Sequence, residues 1–120
     1  MRKLRRILKN RDRGKQQTKI IAAERLRQIE NEGYDAEHDS SQGRTLLACA
    51  GAAYAASAAY MPATATELWP WQWSAWKPKG PLRDLVRAGA LIAAAIDAHI
   101  ATFGTDDIDA KKAAKAAKAK

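Results

Sequence analysis

Apolar positions recur along this chain in three separate stretches, and each predicts a helix. Between residues 18 and 31, Ala22, Leu26 and Ile29 fall at i, i+4 and i+7, while Glu24, Arg25, Arg27 and Glu30 point elsewhere. That is the stripe of a helix that buries one side, and Gly33 supplies its stop. Between residues 44 and 60, Ala48, Ala52, Ala55 and Ala59 recur at spacings of three or four. A stripe of small residues lets a neighbouring backbone come close, and alanine has the highest helix propensity. Tyr54 and Tyr60 add bulk at other angles, and Pro62 ends the segment. The third stretch opens at Pro81, a favoured first helical residue, and closes at Gly104. Its stripe is Leu82, Leu85, Gly89, Ile92, Ile96 and Ile100, with Val86 and Ala93 alongside. Asp84 falls in its first turn, beside the positive end of the helix dipole.

The segments between them are expected to be loops. Residues 34–43 carry Asp35, Glu37, His38, Asp39, Ser40, Ser41 and Gly43, which is turn chemistry of strongly acidic character. Residues 61–80 hold all four tryptophans together with three of the four prolines. A connection so long without regular structure is uncommon in a compact domain. The pattern therefore predicts an all-α fold: a compact bundle of about three helices, with the Trp/Pro-rich loop folded over one end and flexible basic termini. The expected divisions are a basic N-terminal arm over 1–15, a helical domain over 16–104 and a Lys/Ala tail over 105–120.

Charge changes this picture. The net charge is +8, but it sits at the ends. Arg2, Lys3, Arg5, Arg6, Lys9, Arg11, Arg13, Lys15 and Lys19 face a single carboxylate, Asp12, in the first nineteen residues. Five lysines close the chain at 111–120, so the body between is net acidic. Arginine and lysine at such density release counterions from nucleic acid, which makes Arg2, Lys3, Arg5, Arg6, Lys9, Arg11 and Arg13 candidate phosphate contacts; a solvated terminus is the alternative. The lone Cys49 excludes an internal disulfide framework and a cysteine-based zinc site, and suits a reducing compartment. No apolar core follows the basic start, so a secretory signal is not expected. The longest uncharged run, 46–66, is mostly alanine broken by Gly51, Ser57 and Pro62, and is not expected to span a membrane. The expected setting is cytoplasmic.

Two clusters carry candidate chemistry. Glu37, His38 and Asp39 have the donor types for a hard divalent cation such as magnesium. They are contiguous in sequence, however, whereas helical-bundle metal sites draw carboxylates from facing helices; a solvated acidic loop is the alternative. Trp69, Trp71 and Trp73, two residues apart, would share one side of an extended strand. With Trp76 and the cations Lys77, Lys79, Arg83 and Arg87 they could stack a base and hold phosphate. Equally, tryptophans could plug the open end of an alanine-rich bundle. Nucleophilic catalysis has no support: Cys49 lies among alanines, and no Walker-type or dinucleotide glycine pattern occurs.

The string AERLRQIENEGYDAEHD at 23–39, WPW at 69–71, WKPK at 76–79 and RDLVRAGALIAAAID at 83–97 together resemble a family of small phage and prophage proteins. Its members share an AERxRQIExEG opening, an HD pair, a Trp-Pro and WKPK segment and an RRDLVxAGALIxAEI helix. The likeness spans about residues 22 to 98, and implies a phage origin and a host-cell cytoplasm rather than an activity. Phage proteins of this kind also resemble the all-α nucleotide pyrophosphohydrolases of MazG type, which hold magnesium between helices carrying ExxE and ExxD patterns. Here Arg44 and Thr45 stand where the phage family tends to have an acid, and Ala95 replaces the glutamate of its AEI motif. Asp84 and Asp97 remain on the last helix. Loss of carboxylates removes the charge that holds the metal.

The expectation is a phage-type accessory protein without turnover and without a cofactor, in a host-takeover or anti-defence role. It would capture a nucleotide-like ligand, a nucleic acid or a host protein, as a monomer or a homo-oligomer and without a membrane. The alternatives are an assembly protein gripping nucleic acid through its basic ends, and a magnesium-dependent nucleotide pyrophosphohydrolase.

Overall fold

A computed structural model describes residues 2–32 and 36–108, with side chains outside 32–42. Four α-helices make up most of it: α1 (Arg2–Glu32), α2 (Ala36–Ala58), α3 (Pro62–Leu68) and α4 (Pro81–Phe103). Short 3-10 turns occupy Trp73–Ala75 and Asp106–Ile108. The fold is all-α, as the periodicity predicts; α4 has the expected length, α1 and α2 are longer than expected, α3 lies in the segment expected to be a loop, and the main buried faces differ from the expected stripes.

The separate arm expected over 1–15 is instead the first half of α1, which runs through Gly14 without a break. The arm is rich in arginine, lysine and leucine, all good helix formers, and one interior glycine costs only about 1 kcal/mol. Thr18 further ties this turn by donating its hydroxyl to the Gly14 carbonyl at 2.9 Å. In α2 the backbone is helical from Ala36 onward, correcting the loop expected there; Gly43, at φ 75°, bends the helix just before Arg44. The tail at 109–120 lies outside the described residues.

The connection 61–80 also has more structure than its composition predicts. Pro62 occupies the first turn of α3, and Trp69 closes it by donating its backbone N–H to Ala65 at 3.1 Å. Before it, the turn after α2 carries Tyr60, whose φ of 60° places it in the left-handed region. The amides of Tyr60 and Met61 reach back to Ser57 and Ala56, both at 3.0 Å, a wrap that satisfies the last carbonyls of the helix.

The core lies between α2 and α4, which run antiparallel: Ser57 bonds Asp84 near one end and Arg44 meets His99 near the other. Leu47, Ala50, Ala53 and Tyr54 of α2 are buried against Ala88, Leu91, Ala94, Ala95 and Ala98 of α4. The backbones come close at Gly51, where a Cβ would stand 2.9 Å from Ile92 Cγ1 and 3.2 Å from the Ala88 carbonyl. None of the three expected stripes is the main buried face. Ala48 and Ala59 are exposed, as are Leu82, Leu85, Ile92, Ile96 and Ile100. In α1, Ala22 and Leu26 are exposed while Glu24 and Gln28 are buried. The physical reason is that alanine faces allow a closer helix approach than leucine and isoleucine stripes, so the small-residue sides pair and the large ones are left outside. By length and composition alone, α4 is long and apolar enough to cross a membrane. Here its alanine side is packed on α2.

Candidate functional site

The tryptophan connection closes one end of the α2–α4 pair. Trp69 is 7% exposed and anchors an aromatic cluster. Its ring meets Tyr54 edge-on at 5.5 Å, Trp71 edge-on at 5.4 Å and Trp76 at 5.0 Å, while Trp76 also lies 4.8 Å from Tyr54. The Trp69 indole N–H donates to the Gln72 carbonyl at 3.0 Å, so burial leaves its polar atom satisfied.

Polar straps hold this cluster to the helices. The Lys77 amide donates to the Tyr54 hydroxyl at 3.2 Å. Arg87 donates through Nη1 to the Lys77 carbonyl and sets its guanidinium 5.5 Å from the Tyr54 ring centre. Asp84 is buried but both its oxygens accept hydrogen bonds, from the Lys79 amide at 2.9 Å and the Ser57 hydroxyl at 3.0 Å. Its charge also faces the N-terminal dipole of α4. Tyr54, Asp84 and Arg87 therefore hold the loop from three positions, and Ser57 fixes Asp84.

This geometry divides the expected ligand-binding set. Trp69, Trp76 and Arg87 are spent on the end plug, with Trp71 half-buried at its edge. The tryptophans do not share one side of a strand, because Trp73 begins a 3-10 turn and stands 61% exposed. Lys77 and Lys79 are exposed. Arg83 lies 3.5 Å from the buried carboxylate of Glu24, which also accepts from Arg27 Nε at 2.9 and 3.0 Å.

That α1–α4 contact is the feature sequence reasoning missed. Ile21 packs on Gly89, where a Cβ would come within 3.1 Å of it. Glu24 and Gln28 of α1 are buried, and Gln28 Oε1 has no hydrogen-bond partner among the described residues. Polar residues on the packed side leave no hydrophobic period to detect.

The positions where the resemblance would place acids also converge. Thr45 and Ala95 line one hollow of about 250 Å³ with Arg44, Ala48, Ile92, Ile96 and His99. Arg44 hydrogen-bonds His99 Nδ1 and lies 5.7 Å from the Phe103 ring centre. The other ring nitrogen, His99 Nε2, faces Asp107 at 3.7 Å. A divalent cation entering this hollow would meet a guanidinium and methyl groups rather than carboxylates. Among the described residues no three histidine, cysteine, aspartate or glutamate side chains gather to hold a metal ion. The side chains of Glu37, His38 and Asp39 lie outside the described residues.

The remaining candidate surface is the first half of α1. Residues 2–13 are exposed throughout. Arg2, Arg5, Arg6, Lys9, Asn10 and Arg13 line a single open hollow of about 340 Å³ along one helix face. Helical spacing puts Leu4, Ile7, Leu8 and Arg11 on the opposite side and Lys3 on the flank. The first turn of α1 contains no acid, so cations crowd the positive end of its dipole, an arrangement that an external anion relieves. No known protein family, curated protein or solved structure matches the chain.

Proposed function

We propose that this chain is a nucleic-acid-binding accessory protein that grips the phosphate backbone through the basic face of α1 and performs no turnover. The observation that carries this reading is the alignment of Arg2, Arg5, Arg6, Lys9 and Arg13 on one side of an exposed helix. From Arg2 to Arg13 that face extends about 16 Å at 1.5 Å per residue. A single helix of ordinary diameter enters the major groove, and a row of cations on it neutralises successive phosphates. Phosphates would also relieve the repulsion between the first-turn cations and the dipole. A phage accessory role, including host takeover or anti-defence, belongs to the same proposal and rests on the sequence resemblance.

A second reading is capture of a nucleotide or host protein at the tryptophan end. It is favoured by Trp73, the one tryptophan left largely outside the plug, with exposed Lys77 and Lys79 nearby in sequence. Nucleotide hydrolysis draws the least support, because Arg44, Thr45 and Ala95 occupy the hollow where metal-holding acids would be needed.

The test is fluorescence anisotropy of a labelled duplex and a labelled single strand, titrated with the full chain over a range of salt. Four phosphate contacts give a log–log salt slope of about −3 to −4. Replacing Arg2, Arg6, Lys9 and Arg13 together by glutamine should remove most of that slope and of the affinity. Equal binding by this variant, or no binding to either strand form, refutes the reading. A response to Trp73→Ala instead supports the second one.

A further inference from the structure

Helix α4 presents two unlike sides. Its alanines face α2, while Leu82, Leu85, Ile92, Ile96, Ile100 and Phe103 are exposed. With Gly89 and His99, five of these follow alternating steps of three and four at 82, 85, 89, 92, 96, 99 and 103. That is the seam of a two-helix coiled coil. Leu82 and Phe103 are 72% and 65% exposed, and the other four lie between 40% and 53%. The chain's own elements flank this seam and leave its large side chains open: Gln17, Ile20 and Ile21 of α1 share a hollow with Leu82 and Leu85, which stay exposed. Ile21 of α1 packs on Gly89 from one flank, and α2 touches Ile92 from the other at Gly51.

Two arguments identify what covers it. First, the inside of the molecule is poor in bulk away from the plug. Leu47, Tyr54, Trp69 and Leu91 are its large buried apolar groups, Leu68, Trp71 and Trp76 pack half-buried against them, and the other buried members of this cluster are alanines. Small domains with so little core are commonly reinforced by association. Six open large side chains amount to several hundred Å², more than a monomer usually exposes in one patch and on the order of the ~800 Å² each partner gives to a standard interface. Second, the seam is self-complementary. About a midpoint between Gly89 and Ile92, an antiparallel copy sets Leu85 against Ile96 and Leu82 against the His99–Ile100 pair. A two-fold axis requires this kind of reciprocal match.

We propose that the chain forms a homodimer in which α4 packs antiparallel on α4 of a second copy, with the two-fold axis passing near Gly89 and Ile92. The seam residues are distinct from the basic face of α1, so this proposal stands or falls independently of nucleic-acid binding.

The test is sedimentation of the full chain over a wide concentration range, with helix content followed by circular dichroism. The expected mass is twice 13.1 kDa. Leu85→Lys and Ile96→Glu, each at a half-exposed site, should separately abolish the doubled mass while preserving helicity. The double variant should regain it, because antiparallel pairing opposes the two new charges; parallel pairing would set like charges together. Should a charged variant lose helicity, disulfide trapping in a Cys49→Ser background replaces it: Ile92→Cys should cross-link to itself, and Leu82→Cys should not. A monomer at all concentrations overturns the proposal, as does a dimer indifferent to both single variants. A monomer that co-sediments with phospholipid vesicles also overturns it, in favour of a lipid surface covering the seam.

Discussion

The α2–α4 pair and α1 are both helical, yet they are held in place by different physics. In the pair, alanine faces and Gly51 bring two backbones together, and an aromatic plug with four polar straps locks one end. In α1, Ile21, Glu24 and Gln28 touch the body, while residues 2–13 are exposed throughout. The pair owes its helicity to tertiary packing; the first half of α1 owes it to side-chain propensity and to continuity with its packed second half. The difference separates two kinds of consequence: substitutions in the pair should change stability, and substitutions on α1 should change what the protein holds.

The comparison breaks most sharply at the plug. Trp69→Ala should lower the unfolding free energy by about 3–5 kcal/mol in urea titration, as for other buried large-to-small changes, with no change in nucleic-acid affinity of the folded fraction. Next comes Gly51→Val, whose side chain would press on Ile92 and the Ala88 carbonyl; overpacking of this kind costs about 1–3 kcal/mol. Asp84→Ala strands the Ser57 hydroxyl and the Lys79 amide, and should cost about 1–3 kcal/mol. On α1 the expectation reverses. Arg6→Glu should leave the thermal midpoint almost unmoved, within about 0.5 kcal/mol, while lowering nucleic-acid affinity at low salt. An effect of the opposite sign is expected at Tyr60, whose exposed side chain gains little from its left-handed backbone. Tyr60→Gly should be neutral or stabilising by up to about 1 kcal/mol.

Whereas α3, the first half of α1 and the start of α2 read as loop or arm, the cores of α1, α2 and α4 were legible in the sequence, from Pro81 to Gly104 most clearly, because proline and glycine punctuate both ends of α4. Their packing faces were not. Alanine lies on most sides of α2 and makes up most of the buried side of α4, so its burial leaves little periodic signal, while Leu82, Leu85, Ile92, Ile96 and Ile100 mark the exposed face of α4. Glu24 and Gln28 hide α1's contact for the related reason that a buried carboxylate held by Arg27 and Arg83 reads in sequence as a solvated one. Gly14 suggests a break that local propensity overrides. At the tryptophan end, indole spacing is readable but the bonds to backbone atoms of Lys77 and Lys79 are not, since backbone partners carry no residue code. The basic face of α1 was legible in composition, and became a face only once the helix proved continuous.

The most direct test of the account is amide hydrogen exchange of the full chain, alone and with a saturating nucleic-acid duplex. Residues 2–13 should exchange fast in the free protein and become protected on the duplex, while the α2–α4 pair stays equally slow in both. Protection confined to residues 69–79, with 2–13 unchanged, would contradict it and place binding at the tryptophan end.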